Sequence, residues 1–310
     1  MPSGQPYLLA YPLRTSLCIC GNAFGTRFFL YKKTDILELF GIIRIFDYIC
    51  IIRNMKKVKK LVVGNWKMNP ISIEEAKDIV SGVKRAMNKV RKTEVVLCPP
   101  FVYTSLFNKS VTNNLFLGAQ NANHETLGSF TGEVSHSQLS QFRVGFVIVG
   151  HSERRKPKEG AGESDDLINK KVRSVVSNGM TAIICVGEST RDHNGDYFGF
   201  IKNQILSALK DVPKKLLPHV VVAYEPIWAI GATEAMTPRD LHEMSIFIKK
   251  VLRDFGGPLA DDVRILYGGA VDRVNAGTLV SEGNVSGLLV GRQSLNVKDF
   301  VEIIKLIDAI

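Results

Sequence analysis

Val220-Val221-Val222-Ala223-Tyr224 is an unbroken β-branched and aromatic run that leads directly into Glu225-Pro226-Ile227-Trp228. A strand with one wet face alternates apolar and polar side chains. A run without a polar position belongs to a strand covered on both faces, as in a parallel sheet. The same signature recurs at Lys60–Gly64, Glu94–Cys98, Leu115–Ala119, Gly145–Val149, Thr181–Val186, Val263–Tyr267 and Gly287–Val290, which makes eight strands with Val220–Tyr224.

Segments of helical period separate them. The first opens at Ser72 with Glu75 at capping-box spacing and carries Ala76, Ile79, Val80, Val83, Met87 and Val90 on one face. Another opens at Thr237-Pro238, a cap followed by proline at the first helical position, with Leu241, Met244, Ile248, Val251 and Leu252 along its stripe. The last runs from Val297 to Ile307. Eight parallel strands, each followed by a helix, within roughly 250 residues predict an α/β fold closed as a (β/α)8 barrel. The competing architecture is an open doubly wound sheet, but no glycine-rich dinucleotide turn follows the first strand.

The length of 310 residues suits two domains or one large barrel with an appendage. Hydrophobic residues at 45% and charged residues at 23% exclude a mainly disordered or collagen-like chain. There are five cysteines, and Cys18 and Cys20 have no Cys/His cluster to complete a zinc site. Neither a disulfide framework nor a metal or other cofactor is expected, which fits a reducing compartment. The formal charge of +10 is dispersed among acids, so a solvated surface is the first reading and a small anionic substrate the second. Nucleic acid is not an expected partner, because no aromatic-plus-basic repeat is present.

Residues 1–54 differ from the rest: they hold three acids (Asp35, Glu38, Asp47), three of the cysteines, and the run Arg27-Phe28-Phe29-Leu30-Tyr31. Their most apolar stretch, Ile36 to Ile52, is broken by Glu38, Arg44 and Asp47, so no transmembrane helix is expected. Met1 to Pro6 supplies no basic start for a secretory signal, and an organellar transit peptide fits the low acid content better. The preferred reading is a non-barrel extension upstream of a translation start at Met55, with residues 55–310 as the barrel domain. A cytoplasmic location follows, or an organellar one if residues 1–54 are a genuine transit peptide.

A barrel places its chemistry where strands end and loops begin. After the first strand comes Asn65-Trp66-Lys67-Met68-Asn69; a lysine there holds an anion or forms a Schiff base, although a surface lysine gives the same pattern. After the fourth comes Gly150-His151-Ser152-Glu153-Arg154-Arg155, where a lone histidine is either a structural hydrogen bonder or a catalyst. Glu225 ends the sixth strand beneath an apolar loop, a setting that desolvates a carboxylate and strengthens it as a base; an ion pair with a neighbouring lysine is the alternative. The seventh and eighth strands end in Tyr267-Gly268-Gly269-Ala270 and Val290-Gly291-Arg292-Gln293-Ser294, where glycines let backbone N–H groups approach a phosphate.

Taken together and in this order, these motifs and Tyr224-Glu225-Pro226-Ile227-Trp228-Ala229-Ile230-Gly231 resemble the triosephosphate isomerase family over essentially all of Lys59 to Ile310. The resemblance implies a TIM barrel and an intramolecular oxidoreductase that interconverts glyceraldehyde 3-phosphate and dihydroxyacetone phosphate. It makes Glu225 the base, His151 a neutral imidazole at a helix N-terminus that polarises the substrate carbonyl, and Lys67 a positive charge for the phosphate and enediolate. Asn65 is implied as a side-chain donor. Gly231, Gly268, Gly269 and Gly291 are implied as backbone donors to phosphate, with Ala270 and Arg292 at the same site. Ile230 and Leu289 match the apolar pair that presses on the base under a lid running from Pro226 to about Met236. Glu153 and Lys171 resemble a supporting charged pair, and Gln120 to Glu133 resembles the loop through which the family forms homodimers.

The chain departs from the family pattern at three places. The lid reads Gly231-Ala232-Thr233-Glu234-Ala235 where Gly-Thr-Gly-Lys-Thr is usual, Ala270 stands where a serine is common, and Arg292 replaces a glycine. Losing a hydroxyl weakens phosphate binding, and a guanidinium offsets that loss. Other phosphate-binding barrels remain as alternatives: a Schiff-base aldolase, betrayed by borohydride trapping, or an epimerase, betrayed by chelator sensitivity. A non-catalytic scaffold is the remaining class, and an intact set of Lys67, His151 and Glu225 argues against it.

Overall fold

The computed structural model describes residues 58–107, 112, 114–192, 194–230 and 235–310. The expectations for residues 1–54, for a start at Met55, and for Gly231 to Glu234 of the lid lie outside the described residues.

The eight strands close on themselves in sequence order: β1 (Lys60–Asn65), β2 (Thr93–Cys98), β3 (Leu115–Ala119), β4 (Val144–Val149), β5 (Thr181–Val186), β6 (Val220–Tyr224), β7 (Arg264–Tyr267) and β8 (Gly287–Val290). All neighbours are parallel, and β8 returns to β1 with Leu61 opposite Gly287 and Gly64 opposite Val290. Closure explains the unbroken apolar runs. Leu61, Val63, Val96, Cys98, Ile148, Ile183, Cys185, Val221, Ala223, Leu266 and Leu289 fill the barrel interior. Their alternates, such as Val62, Val95, Leu97, Val147, Ile184 and Val222, face the helices in a second, larger core. Each strand position therefore meets hydrocarbon on whichever side it points.

The helices are α1 (Ile73–Met87), α2 (His136–Gln141), α3 (Ser152–Arg155), α4 (Asp165–Ser177), α5 (Asp196–Leu209), α6 (Pro238–Gly256), α7 (Ala276–Ser281) and α8 (Val297–Ala309). At Ser72 the hydroxyl accepts from the Glu75 N–H, and at Thr237 it accepts from the Asp240 N–H, with Pro238 in the first turn as the sequence predicts. A reciprocal capping box also forms where the sequence reading did not look, between Ser135 and Gln138 ahead of α2.

Among the described residues, the expected alternation of strand and α-helix is departed from at β2. A 3-10 helix (Phe101–Phe107) follows β2, and β3 leads into the long Gln120–Val134 connection before the single short helix α2. Gln120, where that connection begins, donates to the Lys67 carbonyl, and the Tyr103 hydroxyl of the 3-10 helix donates to the Pro70 and Ile71 carbonyls, contacts to which hydrophobic periodicity is blind. No helix among the described residues is long and apolar enough to cross a membrane.

Candidate active site

Asn65 ends β1 and arranges the lysine that follows it. Lys67 has a φ of 53°, left-handed for a residue with a side chain, and such a conformation persists only when its surroundings overdetermine it. They do so here: the Asn65 Oδ1 accepts from the Lys67 N–H at 3.0 Å, and the Gln120 Nε2 donates to the Lys67 carbonyl at 2.7 Å and to the Cys98 carbonyl at 2.9 Å. Gln120 thus clamps the ends of β1 and β2 together. The sequence reading missed it, although its place just after β3 was a signal.

His151 caps α3 with its ring. The Nδ1 accepts from the Glu153 backbone N–H at 3.2 Å, so in a neutral imidazole the proton sits on Nε2. That Nε2 lies 3.2 Å from the Glu225 Oε1. The Glu225 Oε2 in turn accepts from the Ser152 N–H at 3.4 Å. The Glu225 side chain is 4% exposed and that of His151 9%, so water is largely excluded from both before any ligand enters. The end of β4 is held by Arg155, whose guanidinium donates to the Gly150 and Cys185 carbonyls at 2.8 and 3.1 Å and reaches Asp165 at 2.6 Å.

These side chains share one cavity of about 590 Å³, lined by Asn65, Lys67, His151, Glu225, Ile230, Gly268, Gly269, Ala270, Leu289, Gly291 and Arg292 among others. Of the residues assigned to the site from sequence, Glu153 and Lys171 do not line this cavity, and Gly231 lies outside the described residues. Ile230 and Leu289 also line it.

Two assignments change. The Gly268 N–H donates to the Tyr224 carbonyl at 2.8 Å, extending the β6–β7 pairing, so Gly268 is not a backbone donor to phosphate. Its contribution is the missing side chain, because a Cβ there would stand 2.9 Å from the Glu225 Cγ. Glu153 and Lys171 do not pair with each other. Glu153 Oε1 meets the Lys67 Nζ at 2.5 Å, whereas Lys171 binds Glu163 at 2.6 Å and the Asn121 Oδ1 at 2.8 Å. The short α3 turns Glu153 toward β1, and Lys171 on α4 finds a carboxylate eight residues upstream in its own loop. Burial works to raise the Glu153 carboxyl, but the Lys67 hydrogen bond, His151 and the charges of Lys67 and Lys158 outweigh it and hold it below the usual carboxylate range.

A model of the family described as triosephosphate isomerase matches residues 60–307. The chain belongs to the triosephosphate isomerase family. The triosephosphate isomerase of Alkaliphilus oremlandii is 39% identical over 249 residues, covering 79% of this chain and 98% of the relative. That of Thermoanaerobacter sp. is 40% identical over 252 residues, covering 79% and 98%, and that of Idiomarina loihiensis 37% over 245 residues, covering 78% and 96%.

Within this triosephosphate isomerase scaffold, two anchors hold the segment that follows Glu225. Glu188, at the end of β5 and 2% exposed, accepts on Oε1 from the Tyr224 hydroxyl at 2.8 Å, the Trp228 Nε1 at 3.0 Å and the Arg191 Nε at 3.1 Å. Burial and the Glu188 charge push the Tyr224 phenol well up, so it stays a donor. On the far side the Tyr267 hydroxyl accepts from the Met236 N–H at 3.1 Å. Gly269 leaves room for this, since a Cβ there would collide with that hydroxyl. Glu188 obeys the same strand-end rule that found Glu225, and the sequence reading passed over it. The Cys185 thiol lies beneath the base; burial, then the Glu225 charge, push it far up, so it remains a protonated neighbour.

Proposed function

We propose that the barrel, taken as the domain from Met55 to Ile310, interconverts D-glyceraldehyde 3-phosphate and dihydroxyacetone phosphate, a step of glycolysis and gluconeogenesis, with Glu225, His151 and Lys67 in the roles that follow. Glu225 removes a proton from the carbon beside the carbonyl. The carbonyl oxygen becomes an enediolate oxygen, to which the His151 Nε2–H donates and toward which the Lys67 ammonium is drawn. Protonated Glu225 then returns its proton to the former carbonyl carbon while the neighbouring hydroxyl gives up its proton, relayed through the His151 Nε2, to the enediolate oxygen, and the aldose becomes the ketose or the reverse. An α-carbon proton is weakly acidic, so the site must provide both a strong base and a stabilised oxyanion. Drying the cavity serves both needs and protects an enediolate that would otherwise expel phosphate.

The observation that carries this reading is the approach of the His151 Nε2 to the Glu225 Oε1 at 3.2 Å, in the cavity that Lys67 also lines. Gly269, Ala270, Gly291 and Arg292 form the phosphate end, with Gly231 as a further backbone donor, and the Nδ2 of Asn65 is the side-chain donor. A coupled assay from glyceraldehyde 3-phosphate to dihydroxyacetone phosphate tests it. Turnover should fall about a hundredfold or more in Glu225→Asp, which draws the carboxylate back by roughly 1 Å. A folded parent protein without turnover would overturn the assignment.

The enzyme works as a homodimer in the cytoplasm, its Gln120–Glu133 loop docked on a second copy. Support comes from apolar side chains displayed on the loops around Lys67: Met68 is 92% exposed, Ile71 97% and Leu127 83%. Exposure of that kind marks an association surface. Light scattering checks it, and a fully active monomer would refute it.

A further inference from the structure

Two Asn-Gly dipeptides occur in the chain, Asn178-Gly179 after α4 and Asn194-Gly195 ahead of α5. In such a pair the glycine carries no Cβ, so its backbone nitrogen reaches the asparagine side-chain carbonyl without hindrance and can attack it. Both asparagines are exposed, so access to solvent does not separate them. Hydrogen bonding does.

At Asn178 the reacting groups are tied down. Its Nδ2 donates to the Ser174 carbonyl at 2.8 Å, and the Gly179 N–H donates to the Val176 carbonyl at 3.2 Å, closing the end of α4. At Asn194, among the described residues, the side chain has no partner and the Gly195 N–H donates to no carbonyl. That N–H faces the Asp192 carboxylate, whose Oδ1 takes the Asp196 N–H at 2.9 Å. The fold asks for glycine at this point, since α5 is entered from the left-handed region at a φ of 80°.

We propose that Asn194-Gly195 is a self-modification site of this enzyme, whose conversion loosens the segment carrying Trp228. The Gly195 nitrogen attacks the Asn194 side-chain carbonyl carbon. A C–N bond forms and closes a succinimide ring, the bond to Nδ2 breaks, and the Gly195 amide proton departs with it as ammonia. Water then opens the ring at either carbonyl to give aspartate or isoaspartate, so water alone is consumed. Isoaspartate routes the main chain through the former side chain, lengthening it by one carbon, and leaves a new carboxylate in the turn that holds Asp192 and Asp196.

That turn joins Arg191 to Tyr197. The Arg191 guanidinium lies 4.9 Å from the Tyr197 ring centroid and 5.5 Å from that of Trp228, and it donates to Glu188 and to the Tyr224 hydroxyl, each at 3.1 Å. Lengthening the main chain between Arg191 and Tyr197 pulls one aromatic face away from the guanidinium and weakens its hold on the other. The modification is independent of the isomerase reading; only its effect on turnover rests on it.

The full chain is incubated at neutral and at mildly alkaline pH, digested and mapped by mass, and isoaspartate is counted with an isoaspartyl methyltransferase. In the folded parent the Asn194 peptide should gain about one mass unit roughly tenfold faster than the Asn178 peptide, and the two rates should converge in concentrated urea, because the bonded site reacts only after local opening. Both rates should rise with pH, since the nitrogen attacks as it loses its proton. Asn194→Gln, which would have to close a larger ring, should keep its mass. Parent samples should lose turnover and change Trp228 emission in proportion to the isoaspartate formed, against a steady background from the fully buried Trp66, whereas Asn194→Gln should hold both. An Asn194 peptide that stays intact in the folded chain while the urea-treated chain reacts, or an Asn178 peptide that keeps pace with it, would overturn the proposal. Isoaspartate formed without a change in Trp228 emission would overturn its reach to that segment. A parent without turnover sinks the isomerase reading and leaves the mass result standing.

Discussion

Replacing Gly268 by alanine sets a single methyl group against the proposed base. The added Cβ would stand 2.9 Å from the Glu225 Cγ and 3.4 Å from its Oε1, with the Leu289 Cβ at 3.5 Å on its other side. Carbon atoms settle at about 3.5–4.0 Å, so the Glu225 arm must retreat by roughly 0.6–1.1 Å. Gly268 is outside the left-handed region, so alanine suits its backbone and the effect is steric. A misplacement near 1 Å at a reacting group costs on the order of a hundredfold in rate, or about 2.7 kcal/mol of barrier. The coupled isomerase assay should show kcat reduced by about that factor. Inhibition by inorganic phosphate should move little, because the Gly268 N–H is engaged by the Tyr224 carbonyl. An undiminished kcat would show that Gly268 does not set the position of the base. Phosphate inhibition weakened as much as kcat would restore the backbone-donor role expected from sequence.

Other perturbations separate stability from binding. Burial tends to raise the Glu163 carboxyl, but Lys171 and Arg154 outweigh it and hold it below its ordinary value. A carboxylate depressed in the fold adds stability that is complete above its unfolded pKa, about 4.3, and is lost as pH falls through the folded value. The urea midpoint should therefore drop as pH is lowered from about 4.5 toward 3, and Glu163→Gln should reduce that drop; identical pH profiles would refute the sign. Glu163→Ala leaves Lys171, 3% exposed, without its carboxylate and should cost about 3 kcal/mol in urea unfolding at neutral pH; a loss under about 1 kcal/mol would show that Asn121 suffices. Ala270→Ser returns a hydroxyl to the phosphate end and should lower the Michaelis constant, and an unchanged constant would count against placing the phosphate there.

The site was legible because strand ends are legible. Asn65, Lys67, His151, Glu225 and Gly268 to Ala270 each follow an apolar run, and barrel closure then brings them to one rim. Element boundaries shifted by a residue at four strands: β1 extends to Asn65, β2 and β4 begin at Thr93 and Val144, and β7 begins at Arg264 because the Val263 N–H closes a turn onto the Ala260 carbonyl. Pairings were harder to read. Lys171 looked available to Glu153, yet the carboxylate within its reach is Glu163, and nothing in residue spacing separates those outcomes.

Local pattern alone determined the eight apolar runs, the caps at Ser72 and Thr237, and the residue types at each strand terminus, because burial on both faces and unsatisfied helix-end N–H groups leave marks in consecutive residues. Tertiary structure alone decided that Gln120 fixes the left-handed backbone of Lys67, that Glu188 anchors Trp228, and that Gly268 yields space and not a hydrogen bond. Those outcomes depend on which strand ends become neighbours when the sheet closes and on tenths of an ångström between side chains distant in the chain.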